Sequence, residues 1–201
     1  AASLGVPYTT AWDALERSLV TAATRLLVIG GGAVGSAALA LAKVRGAQVL
    51  AAARRPEQVK DLQAQGYQTL QLDKPDELGA QVQAVYTGGA DVIFDTTGFW
   101  LPASVPALAA FGRIAIIAAP VDGMVQLPAL ALYRKGGSVV GINSLLYGVQ
   151  ACAAMLDQFG KFFDQGVLPL PEGLFESPLA EGLERYEEVN QGAGDKVILL
   201  P

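Results

Sequence analysis

Three glycines stand where backbone could meet a phosphate. Gly30, Gly32 and Gly35 form a G-x-G-x-x-G pattern within residues 26–55, LLVIGGGAVGSAALALAKVRGAQVLAAARR. In such a turn the first glycine permits a tight reversal. The second lets backbone approach a pyrophosphate, and the third lets a helix pack close to a strand. Free N–H groups and the dipole at the helix start then favour the phosphate charge. The pattern alone is common; its context makes it informative. Residues 26–30 are an apolar run of strand length, and 33–44 are alanine-rich and predict a helix closed by Gly46. Residues 48–53 predict a second strand.

The end of that second strand bears on the nucleotide. A site for NAD places an acid about 20 residues beyond the turn, to bond the ribose 2′-OH. Here the strand ends Ala51, Ala52, Ala53, and Arg54 and Arg55 follow. Small residues followed by arginines leave room and charge for a 2′-phosphate, which the planar guanidinium suits. The residues point to NADP(H) over NAD. The missing acid also argues against FAD and S-adenosylmethionine. The plainer alternative is a pair of solvated surface arginines.

Composition bounds the rest. The 201 residues are 52% hydrophobic and 16% charged, enough for one domain with a large core and too apolar for disorder. A net charge of −5, with no basic run beyond Arg54-Arg55, argues against nucleic-acid binding. The chain has no histidine, so it can hold neither a Ser-His-Asp triad nor a usual zinc site. Cys152 is the one cysteine, which rules out an intrachain disulfide. Its neighbours Ala151, Ala153, Ala154 and Met155 predict a buried structural thiol. Residues 26–42 are uncharged but carry Gly30, Gly31, Gly32 and Gly35, so they read as strand, turn and helix rather than as a membrane span. No signal peptide is visible, and the expectation is a soluble, cytoplasmic protein without membrane contact.

Taken in order, residues 1–20 offer Thr9 or Thr10 as the cap of a helix bearing Trp12, Leu15 and Leu19. Pro56 opens a helix over 57–65. A strand is expected at 67–72 and mostly helix at 73–85. Residues 90–95, ADVIFD, read as a buried strand, with Asp95 capping the loop of Thr96, Thr97 and Gly98. A helix at 102–110, a strand at 112–119 closed by Pro120, a helix at 127–133 and a strand at 138–142 follow. This alternation predicts an α/β fold, a Rossmann-type doubly wound six-stranded parallel sheet of order 3-2-1-4-5-6, with its core at about 25–143. Beyond it come a helix at 148–163 with Leu156, Phe159 and Phe163 on its apolar side, an extended 166–176 containing Pro169 and Pro171, a charged helix at 178–190 and a turn at 192–194. The last strand, 196–200, is expected to join a sheet whose other strands the chain lacks.

Several segments, in order, carry a resemblance: AASLGVPYTTAWDAL, VIGGGAVGSAALALAK, ADVIFDTTG, GRIAIIAAP, LYRKGGSVVGINSL and GDKVILLP. Together they resemble the C-terminal part of the medium-chain dehydrogenase/reductase superfamily, nearest its NADPH quinone oxidoreductase (zeta-crystallin-like) branch. The resemblance implies that residues 1–201 are the NAD(P)-binding domain of a longer enzyme, with flanks 1–24 and 144–201 packed toward a catalytic domain absent here. It implies a nicotinamide-ribose contact at Thr10 and a pyrophosphate turn of Gly30, Gly32, Ala33, Val34 and Gly35. Cofactor-lining loops fall at Thr97 and Gly98 and at Ala118, Ala119 and Pro120, and Asn143 and Ser144 lie beside the nicotinamide. Quinone reductases often hold the 2′-phosphate with a lysine and a tyrosine where Gln58 and Leu72 stand, so Arg54 and Arg55 would take that work. Gly30 is more typical of the alcohol dehydrogenase branch.

The activity so implied is hydride transfer to a quinone or enone, with no catalytic acid assigned. The alternatives are half of a zinc-dependent alcohol dehydrogenase acting on an aldehyde, its metal ligands lying upstream, or a non-catalytic NADPH-binding sensor or structural module. A homodimer is expected through the edge strand 138–142.

Overall fold

In the computed structural model, which describes residues 4–170, 174–191 and 196–201, six short strands form one parallel sheet. They are β1 (Arg25–Ile29), β2 (Gln48–Ala53), β3 (Gln68–Gln71), β4 (Ala90–Asp95), β5 (Leu108–Ile116) and β6 (Ser138–Gly141). The order is β3-β2-β1-β4-β5-β6, as expected. The register has a direct consequence for function. Ala52, Ile29, Asp95, Ile116 and Gly141 pair across β2, β1, β4, β5 and β6 in one row. Every loop that follows these strands therefore leaves the sheet at the same edge. The order reverses between β1 and β4, which is where such sheets open a crevice for ligands.

A parallel sheet must be covered on both faces, because its crossovers carry helices. On one face Leu27, Ile29, Leu50, Ile93 and Ile114 pack with α4 (Leu78–Val85) and α5 (Leu101–Ala107). On the other, Leu26, Val28, Ala51, Phe94 and Ala115 pack with α1 (Gly5–Arg17), α2 (Ala33–Val44), α3 (Pro56–Ala64) and α7 (Val149–Asp164). The alanines of α2 let it lie close on this face. Tyr8 and Trp12 of α1 meet Phe159 of α7 at ring-centroid distances of 5.7 and 5.5 Å. Such tilted and edge-on pairs add roughly 0.5–1.5 kcal/mol each beyond area burial. The remaining helices are α6 (Ala129–Arg134) and α8 (Gly182–Asn190).

Several local expectations are corrected. Neither Thr9 nor Thr10 caps α1: the helix begins at Gly5, and the Thr9 hydroxyl donates back to the Gly5 carbonyl at 3.0 Å. Leu19 lies past the helix end at φ 58° and is 61% exposed, so it is not on the buried face. The fifth strand starts early, at Leu108, and its register with β4 shifts between Ala90 and Val92. Phe111 sits inside it at φ 60°, an irregularity that residue types do not announce. Cys152 is half-buried, with Ala151, Ala153 and Ala154 exposed around it, because α7 turns a different stripe inward. Leu156 is likewise exposed, while Phe159 is buried.

The last strand finds one partner. Residues 174–178 form β7 (Leu174–Pro178), which pairs in parallel with β8 (Lys196–Leu200) as a separate two-stranded sheet. The expected turn at 192–194 and Pro171 lie outside the described residues. Among the described residues no helix is long and apolar enough to cross a membrane.

Candidate functional site

The glycine turn emerges from β1 at the middle of the row, and its three glycines answer to different demands. Gly30 adopts φ +112°, and a Cβ there would stand 2.2 Å from Thr96 Oγ1. A Cβ on Gly35 would stand 1.9 Å from the Gly30 carbonyl oxygen, which is backbone that cannot yield. The fold needs both to be glycine. Gly32 is different. It is the N-cap of α2 at φ −80°, ψ −174°, a conformation open to any residue, and a Cβ would meet nothing within 4 Å. Stability alone would favour Ser, Asn or Asp there. A side chain at this point would fill the space ahead of α2. The backbone N–H groups of Ala33, Val34 and Gly35 lie in the first turn of the helix and have no intrahelical acceptor. A diphosphate fits this cradle in shape and in charge.

The neighbouring loops close around it. Thr96 Oγ1 donates to the Ile29 carbonyl at 2.8 Å, tying the loop after β4 to the strand before the glycine turn. Asp95 organises that loop. Its side chain is fully buried, and Oδ1 accepts from Thr97 N at 2.9 Å, Thr97 Oγ1 at 2.8 Å and Gly98 N at 3.1 Å. Oδ2 accepts from Trp100 N at 2.8 Å. This is the loop-capping role read from the sequence. Gly98 then reaches the next loop: at φ +79° its Cβ would stand 2.5 Å from the carbonyl carbon of Ala118. Ala118 and Ala119 are exposed and Pro120 is half-exposed. Thr97, Gly98, Ala118, Ala119 and Pro120 thus form one continuous wall beside the glycine turn.

The two ends of the row differ in character. At the β2 end, Arg54 and Arg55 are exposed, and neither has an ion-pair partner among the described residues. The Gln71 amide donates to the Arg54 carbonyl at 2.5 Å and fixes that backbone. Gln58 lies against Gly31, where a Cβ would stand 3.3 Å from its own Cβ, while Leu72 is buried in the core. At the β6 end, Asn143 is exposed, and its Oδ1 accepts from Leu145 N at 3.1 Å. Ser144 is buried, and its hydroxyl lies 2.7 Å from that of Thr10 on α1. The expected site residues therefore line one edge, although Arg54 and Ser144 stand at its opposite ends.

Three residues here escaped the sequence reading. Thr96 was seen only as a loop residue. Asp13 and Tyr147 were not singled out at all, yet the Tyr147 hydroxyl donates to Asp13 Oδ1 at 2.5 Å. That bond raises the Tyr147 phenol above its ordinary pKa, because ionisation would set two negative charges together. A signal existed: Thr10, Asp13 and Arg17 stand three and four apart on a helix that is otherwise largely apolar.

A zinc site does not fit the residues present. The chain has no histidine and one cysteine, and no cluster of three or more metal-ligating side chains occurs among the described residues.

Comparison with known proteins bears on the family and the fold. Residues 33–161 match the family described as zinc-binding dehydrogenase. A zinc-type alcohol dehydrogenase-like protein of Schizosaccharomyces pombe is 31% identical over 171 residues, covering 83% of this chain and 49% of that protein. The chain thus spans about half the length of this curated relative. Among solved structures, an alcohol dehydrogenase superfamily protein from Novosphingobium aromaticivorans is 27% identical with a TM-score of 0.82, over 95% of this chain and 58% of that one. A quinone oxidoreductase of Pseudomonas syringae shares the fold at 22% identity with a TM-score of 0.84, over 100% of this chain and 64% of that one.

Proposed function

This chain belongs to the zinc-binding dehydrogenase family, and on that premise we propose that it is the cofactor-binding part of an NADPH-dependent oxidoreductase that reduces a quinone or enone. The observation that carries the reading is Gly32, a glycine the fold does not require, at the open mouth of α2. When bound, the nicotinamide supplies the hydride. The chain's own residues do the holding. Backbone N–H groups of 33–35 receive the pyrophosphate, and the wall of Thr97, Gly98, Ala118, Ala119 and Pro120 keeps the dinucleotide extended along the row. Arg54 and Arg55, without a carboxylate partner among the described residues, take the 2′-phosphate.

Titration with NADPH and NADH tests this. The parent chain should prefer NADPH. In Arg54→Ala/Arg55→Ala the NADPH affinity should fall about ten- to a hundredfold, to the NADH level, the scale of one or two charge-assisted hydrogen bonds. Equal loss for both nucleotides, or no loss, would remove the phosphate assignment.

The relatives named as alcohol dehydrogenases favour a second substrate reading, an alcohol–aldehyde pair. Assaying the longer protein on both an enone and an aldehyde separates the two. The reading also includes a homodimer. β6 is an open sheet edge without charged side chains, and Leu130, Tyr133, Leu145 and Leu146 are exposed nearby in sequence. Sedimentation of the longer protein should give a dimer that Val139→Lys converts to monomer; a parent that runs as a monomer at high concentration would count against it.

A further inference from the structure

The helix α1 carries Thr10, Asp13 and Arg17 on one face, and each reaches the last residue of β6 or the chain that follows it. Thr10 meets the Ser144 hydroxyl at 2.7 Å, Asp13 accepts from Tyr147 at 2.5 Å, and Arg17 donates to the Gly141 carbonyl at 2.5 Å. Residues 141–147 are thereby fastened at three points to a helix that packs, through Ala11, Ala14 and Leu15, into the same core as α2. The middle fastening is chemically odd. Asp13 is 1% exposed, and its second oxygen has no hydrogen-bond partner among the described residues. The nearest cation among the described residues, Arg17 Nη1, stands 3.9 Å from it. A buried, half-satisfied carboxylate is a poor way to hold a loop against a helix, and apolar packing of equal volume commonly does as well or better. Its value lies in direction: a short charge-assisted bond fixes where the Tyr147 phenol points and hence how 143–147 lies.

The location gives that direction a purpose. The dinucleotide spans the switch between β1 and β4. Arg54 and Arg55, after β2, mark the adenosine side, so the nicotinamide lies over the β4–β6 side, where 143–147 emerges. We infer that Asp13 is a positioning residue for the nicotinamide half of the site, acting through Tyr147 to hold residues 143–147 in the form that the ring meets. This rests on the nucleotide-binding reading above and adds a residue to it.

The test compares NADPH with 2′-phospho-ADP-ribose, the same molecule without its nicotinamide. Tyr147 is partly exposed, so Tyr147→Phe removes one hydroxyl from a chain that still folds. In that variant NADPH should bind about tenfold more weakly, while 2′-phospho-ADP-ribose binds as to the parent. Asp13→Asn, which keeps an acceptor, should lose less. The double variant should be no worse than Tyr147→Phe, because both changes act on the same bond and Tyr147→Phe already removes it. The fluorescence anisotropy of bound NADPH should fall in Tyr147→Phe as the ring gains freedom. A purely structural staple would weaken both ligands equally or lower only the melting temperature, and either result overturns the inference. So does a parent chain that binds the two ligands equally well, although the nucleotide reading would then stand. A parent that binds neither ligand overturns both.

Discussion

Gly32→Ala and Gly35→Ala should fail in opposite ways. In Gly35→Ala the new Cβ arrives 1.9 Å from the Gly30 carbonyl oxygen, and neither the strand end nor the helix start can move without disturbing the sheet. Overpacking of well-fitted interiors typically costs about 1–3 kcal/mol and more where backbone must shift; about 3 kcal/mol or more is expected here. Gly32→Ala meets open space. It exchanges an acceptable N-cap for a poor one and stiffens the unfolded chain, two effects of opposite sign that together leave stability within about 1 kcal/mol of the parent. Its nucleotide affinity should nevertheless fall about a hundredfold, on the order of 3 kcal/mol, because the methyl group stands where the pyrophosphate must lie. Denaturant unfolding paired with NADPH titration reads both. A Gly32→Ala chain that binds like the parent would mean that the turn cradles no phosphate.

Asp95→Ala is the second large effect. One carboxylate there accepts three backbone N–H groups and the Thr97 hydroxyl. Alanine leaves the N–H groups of Thr97, Gly98 and Trp100 without an acceptor at the base of a loop pressed against Ala118. Leaving a buried group unsatisfied costs about 1–3 kcal/mol. The groups relax together, so the sum is not additive, and a loss of about 3–5 kcal/mol is expected. Asp95→Asn keeps the shape but turns an N–H₂ toward a donor, and should lose about half as much. The midpoint of urea unfolding measures both. A loss under about 1 kcal/mol in Asp95→Ala would show that the loop keeps its form without this carboxylate.

Much of this molecule can be read in order along the chain. Where a strand and its helix are punctuated by glycine or proline, as at Gly46, Pro56 and Gly66, the boundaries fall within a residue or two of expectation, because those signals act locally. The strand order follows from alternation and handedness. The glycine turn and the loop cap at Asp95 are legible for the same reason: each lies at a strand end whose place in the sheet is already set, whereas the loop after β5 came into view only through the family resemblance. What cannot be read is whatever depends on distant partners. The left-handed Phe111 comes from the fit of a bulged strand, with its N–H donating to the Lys135 carbonyl. Cys152 looked interior from its alanine neighbours, but which stripe of α7 turns inward is decided by Tyr8 and Trp12. Asp13 and Tyr147 lie 134 residues apart, and neither alone carries a sign of the other. β7 overlaps a segment legible as extended, but its pairing with β8 is not legible in either stretch.

The stacking of Tyr8 and Trp12 on Phe159 has a consequence for how the molecule is made. During synthesis α1 leaves the ribosome first among the described elements, and the six strands follow. The sheet has all its members once residue 141 is free, and domains tend to fold as units from their N-terminal side. The rings that cover α1 belong to α7, which is still inside the exit tunnel at that moment. For that interval the nascent chain shows a finished sheet with a bare aromatic stripe across one face. The same contact that closes the mature core therefore marks an adhesive surface on the nascent chain, and the time residues 142–163 take to emerge from the tunnel sets how long it stays bare.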